Sequence, residues 1–275
     1  MTDETHAVTP LDYAPCRYGD SKLLFRGPRR SMHGQYAAFL GGTETFGKFV
    51  EEPFPALVEA QIGLPCINLG WPNAGLDVMV QDSAIMGVAA GAAVTVLQVP
   101  GAQSLSNRFY SVHPRRNDRF VEASPFLRAI YPDVDFTDFH FVRHLLCHLY
   151  DLSPDRFALV REELQAAWVV RMMQLLRRID GPVLLLWMSP QAIPTSSDDP
   201  RNVSTPALVT RAMLDAVTGS AVRLVDATLS SGALSAGRAG MIYSEFEAHI
   251  AAEVPGPAAH DEVALRLAPL MVRFA

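Results

Sequence analysis

The stretch FLGGTETFGKFV, residues 39–50, joins an apolar run to a turn that holds three glycines and two threonines. A threonine hydroxyl at such a turn can attack an ester once a base takes its proton, can contact a ligand, or can cap the helical turn that follows. Thr43 is the first hydroxyl after the apolar run, between Gly42 and Glu44. Acyl transfer at Thr43 needs a base and donors for a developing oxyanion. His260, at the start of the last apolar-periodic segment, is the candidate base, and Asp226, at the end of another apolar run, is the candidate to orient it. The N–H groups of Thr43 and Gly75, with the Gln103 amide, are the candidate oxyanion donors. The competing expectation is that Thr43 caps its own turn and His260 caps the last helix.

Arginines supply the second signal. Arg26, Arg29 and Arg30 lie in FRGPRR, and Asn107, Arg108, His113, Arg115, Arg116 and Arg119 lie in NRFYSVHPRRNDRF. Guanidinium forks suit phosphate, sulfate or carboxylate, and they also pair with a chain's own acids. The expected substrate contacts are Gly42, Glu44, Asn73, Gly75, Gln103, Asn107, Arg108, His113, Arg115 and Arg116. Trp71 and Tyr110 can stack on a ring or serve as core. His140, His144 and His148 recur every fourth residue, so in one helix the outer two stand ~12 Å apart, too far for one ion. No carboxylate or cysteine pattern completes a metal site, and no cofactor is expected.

The elements that must position these groups follow from periodicity. Buried strands are expected at 36–42, 65–71, 93–99, 182–189 and 221–230. Helices are expected at 53–63, 82–92, 136–152, 153–179, 206–218 and 257–274, with Asp82 or Ser83 and Ser153 as N-caps. The stretches 104–120 and 190–206 are expected to be loops. Nearly continuous apolar strands alternating with helices predict a parallel sheet covered on both faces. The expected fold is a flavodoxin-like α/β three-layer αβα sandwich with a parallel five-stranded sheet and a helical insertion between strands three and four, at about 105–180. Residues 1–35 are expected to form an irregular arm and 36–275 a single domain. In such sheets ligands bind beyond the carboxyl ends of the strands, where Thr43, Asn73 and Gln103 fall.

In order along the chain, these strand ends resemble the SGNH/GDSL hydrolase superfamily. Gly41-Gly42-Thr43-Glu44-Thr45-Phe46-Gly47 lies on that family's Gly-Asp-Ser-Ile-Thr-Phe-Gly turn without a gap, with Thr43 at the nucleophile and Gly42 where the family has aspartate. Asn68-Leu69-Gly70 and Asn73-Ala74-Gly75 resemble its Asn-x-Gly segment. Gly101-Ala102-Gln103-Ser104 resembles its Gly-x-Asn-Asp, with Gln103 at the amide. Val254-Pro255-Gly256-Pro257-Ala258-Ala259-His260 resembles the terminal His-Pro-Ser-Pro-x-x-His run, with Val254 at the usual catalytic histidine and His260 at the later one. The segments GGTET, NLG-x-NAG and NRFYSVHPRRNDRF also resemble a mostly alphaproteobacterial family to which no activity is attached.

The resemblance implies a divergent hydrolase or acyltransferase acting on an ester of a polar substrate, anionic or glycan-derived. The alternative is a non-catalytic SGNH-like module binding an anionic sugar or nucleotide. A further alternative is a sulfuryl or phosphoryl transferase using the arginines, although no GxxxxGK[ST] loop is present. A net charge of −6 argues against a nucleic-acid partner. Three scattered cysteines, an acidic N-terminus and no long uninterrupted apolar run predict a cytoplasmic protein without a membrane span. A homo-oligomer stays open.

Overall fold

A computed structural model describes residues 10–201 and 206–275. The start of the expected arm, 1–9, and residues 202–205 of the expected loop lie outside the described residues.

Five parallel strands form the sheet: β1 (Ala37–Gly41), β2 (Cys66–Gly70), β3 (Val94–Gln98), β6 (Val183–Ser189) and β7 (Val222–Thr228), in the order β2-β1-β3-β6-β7. This is the flavodoxin-like order, which reverses between β1 and β3. The strands read as unbroken apolar runs because successive residues enter opposite cores. Ala38 and Leu40 of β1, with Val183, Leu185 and Trp187 of β6, join one cluster. Phe39 of β1, with Leu184, Leu186 and Met188 of β6, joins the other. β7 is an edge strand whose Arg223 and Asp226 are exposed.

The helices are α1 (Thr43–Phe46), α2 (Phe54–Ile62), α3 (Leu76–Gln81), α4 (Ser83–Ala90), α5 (Pro125–Ile130), α6 (Val142–Leu152), α7 (Pro154–Ile179), α8 (Arg211–Val217), α9 (Ser231–Ala236), α10 (Ala248–Ala251) and α11 (Pro257–Met271). Helices α2, α9 and α11 pack on one face of the sheet; α3, α4, α6, α7 and α8 build the other. The expected caps hold: Asp82 accepts from the N–H groups of Ala84 and Ile85, and Ser153 from Arg156 N–H.

Two departures from the sequence expectation concern the site. The stretch expected to be a loop after β3 contains an antiparallel hairpin, β4 (Tyr110–His113) and β5 (Arg116–Ala123). Its charges hide buried Tyr110, Val112, Phe120 and Ala123, and its register shifts around Val112, which breaks simple alternation. The helix expected from 136 starts at Val142, so His140 precedes it. His144 and His148 instead flank the Phe139 ring, with centroids 5.0 and 5.2 Å away. Among the described residues no cluster of three metal-ligating side chains occurs, and no helix is long and apolar enough to cross a membrane.

The arm is part of the core: Tyr18, Leu23 and Phe25 are buried. Arg26 is buried too, and its guanidinium donates to the carbonyls of Phe46, Gly47, Val50 and Glu51. It is therefore a brace for the backbone after α1, with both terminal nitrogens committed to carbonyls. Arg30 pairs with Glu59 of α2 and Arg29 lies over the Tyr18 ring.

Candidate functional site

The carboxyl ends of β1, β3 and β6 open into a cleft of about 700 Å³. Its floor is the β1–α1 turn with Gly42, Thr43 and Glu44, and the end of β3 with Gln98, Gly101, Gln103 and Ser104. Asn73 and Asp118 close one side, and the first turns of α6 bring Arg143, His144 and Cys147 to another. Glu253 also lines the cleft.

The turn carrying Thr43 is held by Gln98. The Gln98 Oε1 atom accepts from Thr45 Oγ1 at 2.6 Å, Gly42 N–H at 3.2 Å and Thr45 N–H at 3.3 Å. Its Nε2 donates to Glu44 Oε2 at 2.9 Å, which points the carboxylate. The turn also presses on β2. A Cβ at Gly70 would lie 2.3 Å from Phe46 N and 2.7 Å from Thr45 C, both backbone atoms. Gly70→Ala is therefore expected to cost about 3 kcal/mol, the upper part of the overpacking range, read as a lower denaturant midpoint at unchanged m-value.

Thr43 is half-buried and lines the cleft, and its Oγ1 accepts from Asn73 N–H at 3.1 Å. Gly42 takes the N-cap position of α1, which no side chain caps, so Thr43 is not the cap. Asn73 lines the cleft at a positive φ of 60°.

His260 is placed elsewhere. Its ring is 1% exposed, stacks on Phe54 with centroids 5.7 Å apart, and accepts Phe54 N–H on Nδ1 at 3.0 Å. Phe54 N–H is an orphan donor of the first turn of α2, so His260 caps α2 rather than its own helix. Accepting on Nδ1 leaves the proton on Nε2 and the ring neutral. Burial, and then the nearby Arg26 charge, depress its pKa to about 3, against the pull of a hydrogen bond to the Pro255 backbone. Asp226 is exposed on the edge strand and accepts from its own neighbour Thr228 through N–H and Oγ1. Neither His260 nor Asp226 lines the cleft, so the geometry does not bring the expected base and orienting acid to Thr43.

Gly75 also differs from expectation. Its N–H donates to Asn117 Oδ1 at 2.9 Å, and the same oxygen takes Val78 N–H at 3.1 Å. Buried Asn117 thus caps α3 from the hairpin, and Gly75 N–H is engaged away from an oxyanion. Gln103 does line the cleft.

The basic cluster disperses. Arg108 pairs with Glu163 beside a separate apolar depression near Phe126. Arg115 points to another depression near Asp20, and its carbonyl accepts Trp71 Nε1–H. Arg116 lies 3.7 Å from Asp118 Oδ2. His113 accepts Arg115 N–H within the hairpin turn, and Asn107 accepts Phe109 and Tyr110 N–H in the turn before β4. Tyr110 is core. None of Asn107, Arg108, His113, Arg115 and Arg116 lines the main cleft.

Among described residues, the cleft's ionisable side chains are Glu44, Asp118, Glu253, Arg143, His144 and Cys147. Burial raises the Asp118 pKa, with Arg116 the largest opposing influence, and burial raises that of the Cys147 thiol. Two buried side-chain acceptors lack a protein partner among the described residues, Gln103 Oε1 and Asp118 Oδ1, and both residues line this cleft. Gln98 had a signal in sequence: it is the one polar side chain besides Thr95 in AVTVLQV. Arg143, His144 and Cys147 reach the cleft only through the docking of α6, which local spacing does not encode.

A family model described as "Domain of unknown function (DUF6473)" matches residues 1–275. The chain belongs to this DUF6473 family. No curated protein matches the sequence. Among solved structures, the DUF6473 chain is similar to a lipase from a goat rumen metagenome, at 11% identity and TM-score 0.47, over 88% of this chain and 100% of the other. It is also similar to a carbohydrate esterase family 2 enzyme from Corynascus thermopiles (Myceliophthora fergusii), at 12% identity and TM-score 0.46, over 90% of this chain and 69% of the other. A salicylyl-acyltransferase from a tetracycline biosynthetic pathway is similar at 11% identity and TM-score 0.38, over 88% and 57%.

Proposed function

We propose that this DUF6473 protein is an SGNH-like ester hydrolase or acyltransferase in which Thr43 is the nucleophile and His144 the base. The observation that carries this reading is the shared cleft: His144 is the one histidine lining it among the described residues, on the same cavity as the Thr43 hydroxyl. The histidine expected from the chain's last segment is meanwhile committed to capping α2.

In this reading Thr43 Oγ attacks the acyl carbon as its proton passes to a ring nitrogen of His144. The tetrahedral intermediate's oxygen takes hydrogen bonds from Thr43 N–H and the Gln103 amide. Collapse breaks the bond to the alcohol oxygen, which leaves with the proton from His144. Water or a second alcohol then attacks the acyl-threonine and gives a proton to His144; collapse breaks the acyl–Oγ bond, His144 returns the proton to Thr43 Oγ, and the acid or the new ester leaves.

The test is hydrolysis of 4-nitrophenyl acetate and of acetylated monosaccharides by the full chain. Thr43→Ala is expected to lower kcat/KM by about a thousandfold, and His144→Gln by roughly a hundredfold or more. Thr43→Ser is expected to keep the reaction. Turnover by Thr43→Ala equal to that of the parent sinks the reading, as does an inactive parent chain.

The second reading is a non-catalytic binding site. One observation favours it: Thr43 Oγ1 is engaged by Asn73 N–H, and no imidazole of the described residues hydrogen-bonds it. Under that reading a ligand protects the cleft with no ester turnover.

A further inference from the structure

We infer that the ligand of this cleft is a neutral, hydroxyl-rich molecule, a sugar or polyol, and that Asp118 and Gln103 select it by accepting its hydroxyl protons. The inference rests on the proposed function only for the choice of cleft; it does not need Thr43 to react.

Two observations carry it. The first is the pair of unpartnered acceptors, Gln103 Oε1 and Asp118 Oδ1. A buried acceptor without a donor is uncommon and costly, so two on one cavity define what must be brought to it: O–H or N–H donors. Gln103 Oε1 lies against Gly101, where a Cβ would come within 2.1 Å of it, and Asp118 lines the same cleft from the hairpin. A phosphate or carboxylate ligand, rich in acceptors and poor in donors, would leave both oxygens unpaired and add repulsion at Asp118.

The second observation is charge. Three carboxylates line the cleft, from Glu44, Asp118 and Glu253, against one guanidinium, from Arg143. The arginines that suggested an anionic substrate face other partners: Arg108 faces Glu163, Arg26 four backbone carbonyls, and Arg116 the outer oxygen of Asp118. Arg116 offsets part of the Asp118 charge through Oδ2, which leaves Oδ1 as a hydrogen-bond acceptor for a neutral donor. At Glu44 the neutral Gln98 amide donates to Oε2. The cleft is thus an array of oriented acceptors of the kind a polyol satisfies.

Isothermal titration of the full chain carrying Thr43→Ala tests this with methyl β-glucopyranoside, methyl β-galactopyranoside and N-acetylglucosamine on one side. Glucose 1-phosphate and glucose 6-phosphate stand on the other. At least one neutral sugar is expected to bind at least tenfold more tightly than either phosphate. Gln103→Leu and Asp118→Ala are each expected to weaken that sugar by about tenfold, the effect of one lost hydrogen bond in a desolvated site. Tighter binding of the phosphates overturns the inference. So does neutral-sugar binding that both substitutions leave unchanged, or binding by neither set. Glu163→Gln, outside the cleft, serves as the folded control and is expected to bind as the parent does. Sugar binding without ester turnover would leave this inference standing and remove the Thr43 chemistry; turnover with preference for anionic esters would do the reverse.

Discussion

His260→Ala is expected to cost about 4 kcal/mol of stability and to leave ester turnover by the surviving folded protein within a few-fold of the parent. The ring is fully enclosed, so its loss opens a cavity beside Phe54, and the Phe54 N–H at the head of α2 loses its acceptor. A buried large-to-small change costs 2–5 kcal/mol, and an orphaned buried N–H about 1–3, with overlap between the two. For a chain of this size the midpoint of thermal unfolding should fall by roughly 10 °C. A catalytic histidine would show the opposite pattern, with little change in melting and a collapse of kcat. The pH dependence adds a second readout. The folded-state pKa is depressed to about 3 from an ordinary 6.5, so between those values the unfolded chain binds a proton that the folded chain does not. The stabilising effect of keeping His260 neutral is complete above pH 6.5 and is lost as pH falls toward 3. The slope there approaches ~1.4 kcal/mol per pH unit from this one group. His260→Ala should flatten that limb by one proton relative to the parent, measured as unfolding free energy across the window. Parallel pH curves for the two proteins would refute the account.

The fold was legible because it depends on local pattern. Unbroken apolar strands with helices between them admit few topologies, and right-handed crossovers fix the rest. The turn at Thr43 was legible for the same reason: Gly41 and Gly70 are needed where the ends of β1 and β2 pack against Thr45 and Phe46 of α1. What the sequence concealed was long-range capping. His260 caps α2 across 206 residues and Asn117 caps α3 across 42, so a histidine and a glycine that looked like machinery are committed to helix ends. The cationic hairpin misled in a related way. Its arginines follow β3 directly, yet the pleat of β4 and β5 turns Tyr110, Val112 and Phe120 inward and sends Arg116 outward, while Arg115 is exposed in the turn between the two strands. Alternation of side chains decides that outcome, and the register shift at Val112 obscures it in sequence.

Gln98→Leu is expected to cost about 3 kcal/mol and to reduce cleft function by more than tenfold, although Gln98 itself need touch no substrate. Leucine matches the volume but cannot accept, so Gly42 N–H, Thr45 N–H and the Thr45 hydroxyl all lose their partner. Thr45 is fully buried, whereas Gly42 is half-buried and can recruit water, which keeps the sum below three full desolvation penalties. Functional loss follows from position. Gln98 fixes the turn on both sides of Thr43 and orients Glu44, so without it the hydroxyl and carboxylate sample rotamers that the cleft does not use. Exchange of partners separates this positioning role from simple packing. Gln98→Glu alone restores three acceptor contacts but faces the Glu44 carboxylate across the 2.9 Å now spanned by the amide. Adding Glu44→Gln returns one amide and one carboxylate to the pair. The double variant is expected to recover most of the stability that Gln98→Glu loses, with a favourable coupling of about 1–2 kcal/mol in the mutant cycle. It should recover ligand binding less fully, because the charge now sits at the strand end instead of the cleft wall. Additive effects in that cycle would mean that Gln98 and Glu44 act independently, and the turn would then owe its shape to its glycines alone.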